Sequence, residues 1–326
     1  MDSAAIEALL QLDDALNLSA SMLCALTYGI ALTFYCVCIC SLYRRLCRDS
    51  EQRKNTWIAF AYTTFAIICA TAYLAFSHYF IQMSFVFHRD FPGGPAAYEG
   101  AVLSTQPPFV AGLVFIAMLD WLTLGVQIWR LWVLWRVTKY FPYIIILPAI
   151  LLLGCIGIGF ATAVDQAHPN ISPQYSYFIG IAFFGLPPVT TVFVTSLMVA
   201  RILSIRRRHI KIMGESDMTR RYTGIVSILI ESYALDAFWS IGLIVSYGLT
   251  YAAPRPAAWA IFIQPSLNVK AIALFLIVYR VSKGSAWDGS TERQLTSITY
   301  NYVFHTGSEL ATGPFTSTTA EAASAI

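Results

Sequence analysis

Charge is scarce in this chain. Only 12% of its 326 residues are Asp, Glu, Lys or Arg, about half the share of a soluble domain, which excludes an ordinary water-exposed globule of this length. The net charge of +3 is too small for a nucleic-acid partner, and the bases sit beside apolar runs instead of forming a patch. The N-terminal stretch has no basic residue ahead of the first apolar run, so no cleavable signal peptide is expected. No nucleophile–base pair, phosphate loop or metal box is present, and the chain is not expected to be an enzyme. Seven cysteines occur, none in a segment read below as outside, and no histidine is placed to complete a tetrahedral site; neither a disulfide framework nor a metal is expected.

What the chain has in abundance is apolar length. Hydrophobic residues make up 57% of it, with a mean hydropathy of +0.61. Seven runs are each long enough, at about 20 residues for about 30 Å of hydrocarbon, to span a bilayer. They are Ala20–Leu42, Trp57–Phe80, Val110–Trp135, Ile144–Ala163, Tyr177–Leu203, Tyr222–Tyr247 and Trp259–Val281. The expected fold is therefore all-α, a seven-transmembrane helix bundle. Pro187 and Pro188 are expected to kink the fifth span, and Gly154, Gly157 and Gly159 to let the fourth pack closely.

The connecting segments alternate in charge. The first loop holds Arg44, Arg45, Arg48, Arg53 and Lys54, the third Arg136 and Lys139, and the fifth Arg206, Arg207, Arg208, Lys211, Arg220 and Arg221. The second has Arg89 against Asp90 and Glu99, the fourth Asp165 alone, and the sixth only Arg255. Bases accumulate on the cytoplasmic side, so the N-terminus is expected outside and the C-terminus inside, in the plasma membrane. The domain reading follows: an extracellular segment at 1–19, a membrane domain at 20–281, and a Ser/Thr-rich disordered cytoplasmic tail at 282–326. Asn170-Ile171-Ser172 is a glycosylation sequon in an outside loop, although Pro173 follows it directly. Cys47, beside the membrane on the cytoplasmic side, is a candidate for S-palmitoylation. Trp129, Trp132 and Trp135 recur beside Arg130 and Arg136, as in an aromatic–basic belt at the inner interface.

Ionisable residues within the spans need a partner or a cavity. By helical rise Asp120 lies roughly 15 Å, and Lys270 roughly 17 Å, below the outer face, with Asp236 somewhat shallower and Glu231 nearer the cytoplasm. Asp236 and Glu231 are about 140° apart around the sixth helix and cannot share one partner. The reading this supports is a buried ion pair of Lys270 with Asp120 or Asp236. An alternative is a retinal Schiff base on Lys270, as in microbial-type rhodopsins, whose counterion segment Asp120-Trp121-Leu122-Thr123 resembles. The rest of that pattern is missing: no arginine precedes Asp120 by three, Ser266 stands where an aspartate would, and Trp239 lacks its companion Tyr-Pro. No cofactor is therefore expected. The signatures of rhodopsin-like receptors are missing as well, with Trp129-Arg130-Leu131-Trp132 in place of Asp-Arg-Tyr.

Several segments resemble the large family of uncharacterised, receptor-like seven-span membrane proteins of mushroom-forming (basidiomycete) fungi. The stretch from Asp120 to Trp135 is similar to that family's third-span Asp…Arg-x-Trp-Val-x-Trp pattern. Val199-Ala200-Arg201-Ile202-Leu203 resembles the end of its fifth span, and Ile230-Glu231-Ser232 its sixth-span Ile-Glu-Ser. Ile277-Val278-Tyr279-Arg280-Val281, then Gly284, resembles its terminal element, while Pro265 and Lys270 depart from its plain seventh span. The resemblance implies the fold and membrane residence, and it carries Asp120, Arg130, Glu231 and Arg280 as polar locks or switch groups. With Asp236 and Lys270 these are the candidate site residues. The functional expectation is a receptor-like protein that takes a small or apolar ligand from outside and meets a cytoplasmic partner through the 204–221 loop. Topology signal and attraction to anionic lipid, at about 1 kcal/mol per base, account for that loop better than a partner does. A transporter or proton-handling protein using Asp120, Lys270 and Asp236 is the alternative.

Overall fold

The computed structural model describes residues 3–48, 53–103, 106–136, 141–167, 173–213, 233–249 and 258–282. Among them there is no strand. The helices are α1 (Ser3–Arg48), α2 (Arg53–Gln82), α3 (Pro95–Ala101), α4 (Pro107–Trp135), α5 (Phe141–Ala167), α6 (Pro173–Met213), α7 (Tyr233–Leu249) and α8 (Ala258–Ser282). A π-helical turn, Met83–Phe87, continues α2. Six of them, α1, α2, α4, α5, α6 and α8, contain stretches long and apolar enough to cross a membrane, as expected of a multi-pass membrane protein. The described part of the sixth expected span is the shorter apolar helix α7; Glu231 lies outside the described residues, as do Asn170 and the tail from 283.

Two boundaries differ from the expectation. α1 begins at Ser3 and runs through residues 3–19, ahead of the expected first span. Hydropathy falls at Asp13, Asp14 and Asn17, but Ala, Leu and Gln around them keep helix propensity high. At 1.5 Å per residue, 46 residues give about 69 Å, more than twice the hydrocarbon thickness. At the other end of the bundle α6 continues to Met213, so Arg206 and Arg207 stand on a helix, not a loop; 214–221 lie outside the described residues.

The centre of the bundle is α8. In its most apolar 18-residue stretch 72% of residues are buried, against 44% or less in the other spans. Its most extensive partner is α1, whose small residues Ala20, Cys24, Ala31 and Cys38 are fully buried and let the two backbones approach. Asn268 of α8, also fully buried, pins them: its Nδ2 donates to the Cys24 carbonyl at 3.0 Å and to Thr27 Oγ1 at 3.3 Å. Phe275, Leu267, Leu119 and Leu124 fill the interior, while Ile68, Leu153, Phe160 and Phe238 point outward, as a lipid-solvated bundle requires. All seven cysteines are free thiols.

The segment read as one long second loop has structure of its own. Gly93 and Gly94 take φ of 96° and 86°, which β-carbon-bearing residues rarely adopt, and so turn the chain into α3 with Pro95 at its first turn. Tyr98 is buried and stacks on His88, ring centroids 4.1 Å apart, which holds α3 against the π turn. Packing against α1 as well, α3 lies over the end of the bundle that carries the start of α1.

Candidate functional site

Two features in the bundle adjoin one another. The first is a buried polar cluster. Lys270 Nζ of α8 meets Asp120 Oδ1 of α4 at 2.6 Å, and both residues are almost fully enclosed (9% and 6% exposed). Asp236 of α7, 6% exposed, interacts electrostatically with both, and one of its oxygens has no hydrogen-bond partner among the described residues. Two carboxylates thus face one ammonium. In a low-dielectric interior such a pair holds only where geometry is good, because each ion has lost its hydration.

The second is a cavity of about 280 Å³ at the end of the bundle covered by α3. Its walls are aromatic: Tyr73 and Phe80 of α2, Phe109 of α4, Phe183 and Phe184 of α6, Tyr247 of α7 and Trp259 of α8. Ile116, four residues before Asp120, and Ile263 and Gln264, six or seven before Lys270, line it on the side of the polar cluster. Polar groups converge on it from Glu99 of α3 and from Asp165 and Thr162 of α5, and Ser176 of α6 donates to Asp165 Oδ1 at 2.8 Å.

Between cavity and cluster α8 carries Pro265, which lacks the N–H of a helical hydrogen bond and crowds the preceding turn while the helix continues through it. Three neighbouring helices donate to the carbonyls just before it. Trp239 Nε1 of α7 reaches the Phe262 carbonyl at 2.8 Å, Tyr73 Oη of α2 the Ile263 carbonyl at 3.3 Å, and Cys24 Sγ of α1 the Gln264 carbonyl at 3.2 Å. The proline turn is therefore clamped, and Tyr73, Ile263 and Gln264 belong both to the clamp and to the cavity wall.

The structure brings Asp120, Lys270 and Asp236 together and leaves the other candidates apart from them. Arg130 lies near the hydroxyls of Tyr62 and Tyr233, close to the opposite end of α4. Arg280 sits in the last turn of α8, and Cys47 is exposed at the end of α1. Of the three tryptophans, Trp129 and Trp132 face outward as an interfacial belt requires. Trp135 instead packs beneath the Arg201 guanidinium, 5.1 Å from its ring. Trp239 is occupied with the α8 clamp. Glu99 and Asp165 entered the sequence reading only as loop charges; the signal was that each is an acid in a segment poor in bases.

Burial pushes the Glu99 carboxyl up to about 7 from an ordinary 4.5; a hydrogen bond from Ser84 opposes the rise and the Asp14 charge of α1 adds to it. Besides Asp14, the groups around it include His88, stacked on neighbouring Tyr98, and Asp165 across the cavity. A raised folded-state value means the folded protein holds a proton that the unfolded chain releases above pH 4.5. Stability is accordingly highest at acid pH with respect to this group and is lost as pH rises to about 7. Glu99→Gln is expected to raise the melting temperature at pH 8 and leave it unchanged at pH 4. Equal effects at the two pH values would refute the assignment.

No protein-family model, curated protein or solved structure matches the chain.

Proposed function

We propose that the chain is a receptor-like seven-helix membrane protein of the plasma membrane. Its N-terminus lies outside and its C-terminus in the cytoplasm, and it senses a small, largely apolar ligand in the α3-covered cavity. The observation that carries this is the sharing of Tyr73, Ile263 and Gln264 between the cavity wall and the clamp on Pro265. A ligand shifts an equilibrium only by its differential affinity for two states. Contacts on the clamp bias the α8 turn, and Lys270, with Asp120 on one side and Asp236 on another, offers two partners for two arrangements. The basic end of α6 then presents Arg206 and Arg207 to a cytoplasmic partner. The alternating loop charges and the resemblance to the seven-span family of mushroom-forming fungi support the same reading.

The test uses a fluorophore on a cysteine placed at exposed Arg207 in a background that lacks the exposed Cys36, Cys40 and Cys47 and keeps the buried cysteines, Cys24 of the clamp among them. Compounds that raise the melting temperature, and lose that effect in Gly112→Leu, are expected to change its emission. Gly112 lines the cavity, and a β-carbon there meets only Tyr73 within the described structure, at 4.0 Å. Cavity binding with no change at Arg207 would rule out signalling through α6. Orientation has its own check: an N-terminal tag on intact cells is expected to be accessible and a C-terminal tag protected, and the reverse pattern would overturn the topology.

The buried cluster favours a second reading, a proton-handling or transport protein. Proton flux in liposomes that disappears in Asp120→Asn would select it. A retinal linkage at Lys270 requires an absorbance band that is lost in Lys270→Ala. The cavity wall described above does not include Lys270, whose Nζ is engaged by Asp120.

A further inference from the structure

Two carboxylates, Glu99 and Asp165, lie in the cavity wall, together with amide, hydroxyl and indole groups of Asn17, Ser77, Gln166, Tyr247 and Trp259. Three of its hydroxyl groups already donate to the protein: Tyr73 to the Ile263 carbonyl, Thr162 to the Ile158 carbonyl and Ser176 to Asp165. Two residues of the wall carry acceptors with nothing to accept: Glu99 Oε1 and Gln264 Oε1 are buried and have no hydrogen-bond partner among the described residues. Asp165 adds a second carboxylate, itself 6% exposed. Among the described residues that line the cavity there is no lysine, arginine or histidine. The remaining wall offers aromatic faces, which attract a cation through their ring quadrupoles as well as covering apolar surface.

One ligand chemistry answers all of these together. An anion would meet two carboxylates and, among the described residues, no base. A hydrocarbon would cover the aromatic rings but leave the buried acceptors unpaired, which is unfavourable away from water. We propose that the cavity binds a small amine with an apolar body in its ammonium form, with Glu99 and Asp165 as counter-charges, Gln264 Oε1 as a further acceptor, and Tyr73, Phe183 and Trp259 against the body. This rests on reading the cavity as the ligand site and goes further by naming the ligand's class. The volume, about 280 Å³, sits at the small end of organic-ligand pockets, which limits the amine to one ring or a short chain.

The experiment uses the full-length protein in nanodiscs at pH 8, where the Glu99 carboxyl is ionised before ligand arrives. The probes are phenylalkylamines from benzylamine to 4-phenylbutylamine, each paired with the alcohol and the carboxylate of the same skeleton. Affinity is read from titrated thermal shifts and intrinsic tryptophan fluorescence. At least one amine is expected to bind tenfold or more tightly than its alcohol, with the carboxylates not binding. Glu99→Gln and Asp165→Asn are each expected to weaken the amine by about tenfold to a hundredfold, the range for a hydrogen bond to a charged group. Alcohol affinity should stay unchanged in both variants, a separation that misfolding cannot imitate. Alcohols binding as tightly as amines, or amines indifferent to both substitutions, overturn the ammonium while the cavity reading survives if Gly112→Leu abolishes binding. Silence from every amine overturns the proposal. Silence extended to neutral apolar compounds overturns the receptor reading with it.

Discussion

Lys270→Met is expected to destabilise the bundle by about 3–5 kcal/mol, the range for removing one partner of a buried ion pair. The loss comes less from the missing attraction than from what is left behind. Asp120 would keep a carboxylate 6% exposed, beside Asp236 at the same burial, with no cation between them. The two deletions are unequal for that reason. Asp120→Asn leaves Lys270 with Asp236 as a second counter-charge, so its cost should be smaller, and Asp236→Asn, which spares the 2.6 Å pair, should cost least. Combining Lys270→Met with Asp120→Leu and Asp236→Asn replaces ions by apolar or neutral groups and is expected to recover most of the stability. Denaturation in mixed detergent, followed by circular dichroism, reads the order directly. Lys270→Met as stable as the unsubstituted protein would sink the assignment of the pair as a structural lock. The recovered triple variant also separates stability from function: it should still bind ligand in the cavity yet lose the ligand-dependent emission change at Arg207.

How much of this could be read from sequence depends on how far each feature is from one helix's own geometry. Depth along a helix is a matter of counting at 1.5 Å per residue, so Asp120 and Lys270 could be set at one level and their pairing anticipated. Which face a helix turns to which neighbour is a property of packing. The choice of Asp120 over Asp236 as the direct partner therefore waited for the structure. The cavity was illegible for the same reason, since its wall draws on seven helices besides α1's Asn17. Glu99 was hidden further: α3 has only seven residues, too few to show a period, and its start depends on positive φ at Gly93 and Gly94. The early start of α1 was missed because hydropathy registers where a helix meets lipid, whereas helix propensity decides where it begins. The clamp on Pro265 joins Cys24, Tyr73 and Trp239 from three separate helices, a convergence that no local pattern encodes.

The junction of α7 with α8 supplies the sharpest test of packing, because two opposing effects of known size meet at one residue. Gly→Ala within a helix is ordinarily favourable by about 0.5–1 kcal/mol, since alanine restricts the unfolded backbone. At Gly125 of α4, where an added β-carbon has nothing within 4 Å in the described structure, that gain should appear undiminished. At Gly242 of α7 the same carbon would collide with the Phe262 ring, with two ring carbons at 2.8 and 3.0 Å and another closer still. Overpacking costs about 1–3 kcal/mol and exceeds the backbone gain, so the sign should reverse. Phe262 has little freedom to yield, because its own carbonyl accepts the Trp239 indole and its ring packs 5.4 Å from that indole. Gly242→Ala is thus expected to lower stability by about 1–2 kcal/mol, where Gly125→Ala raises it. Phe262→Leu should rescue the loss only in the Gly242→Ala background, as a coupled pair requires. Equal gains at both glycines would mean that α7 does not press on α8 at this point, and would remove the contact through which Trp239 holds the proline turn.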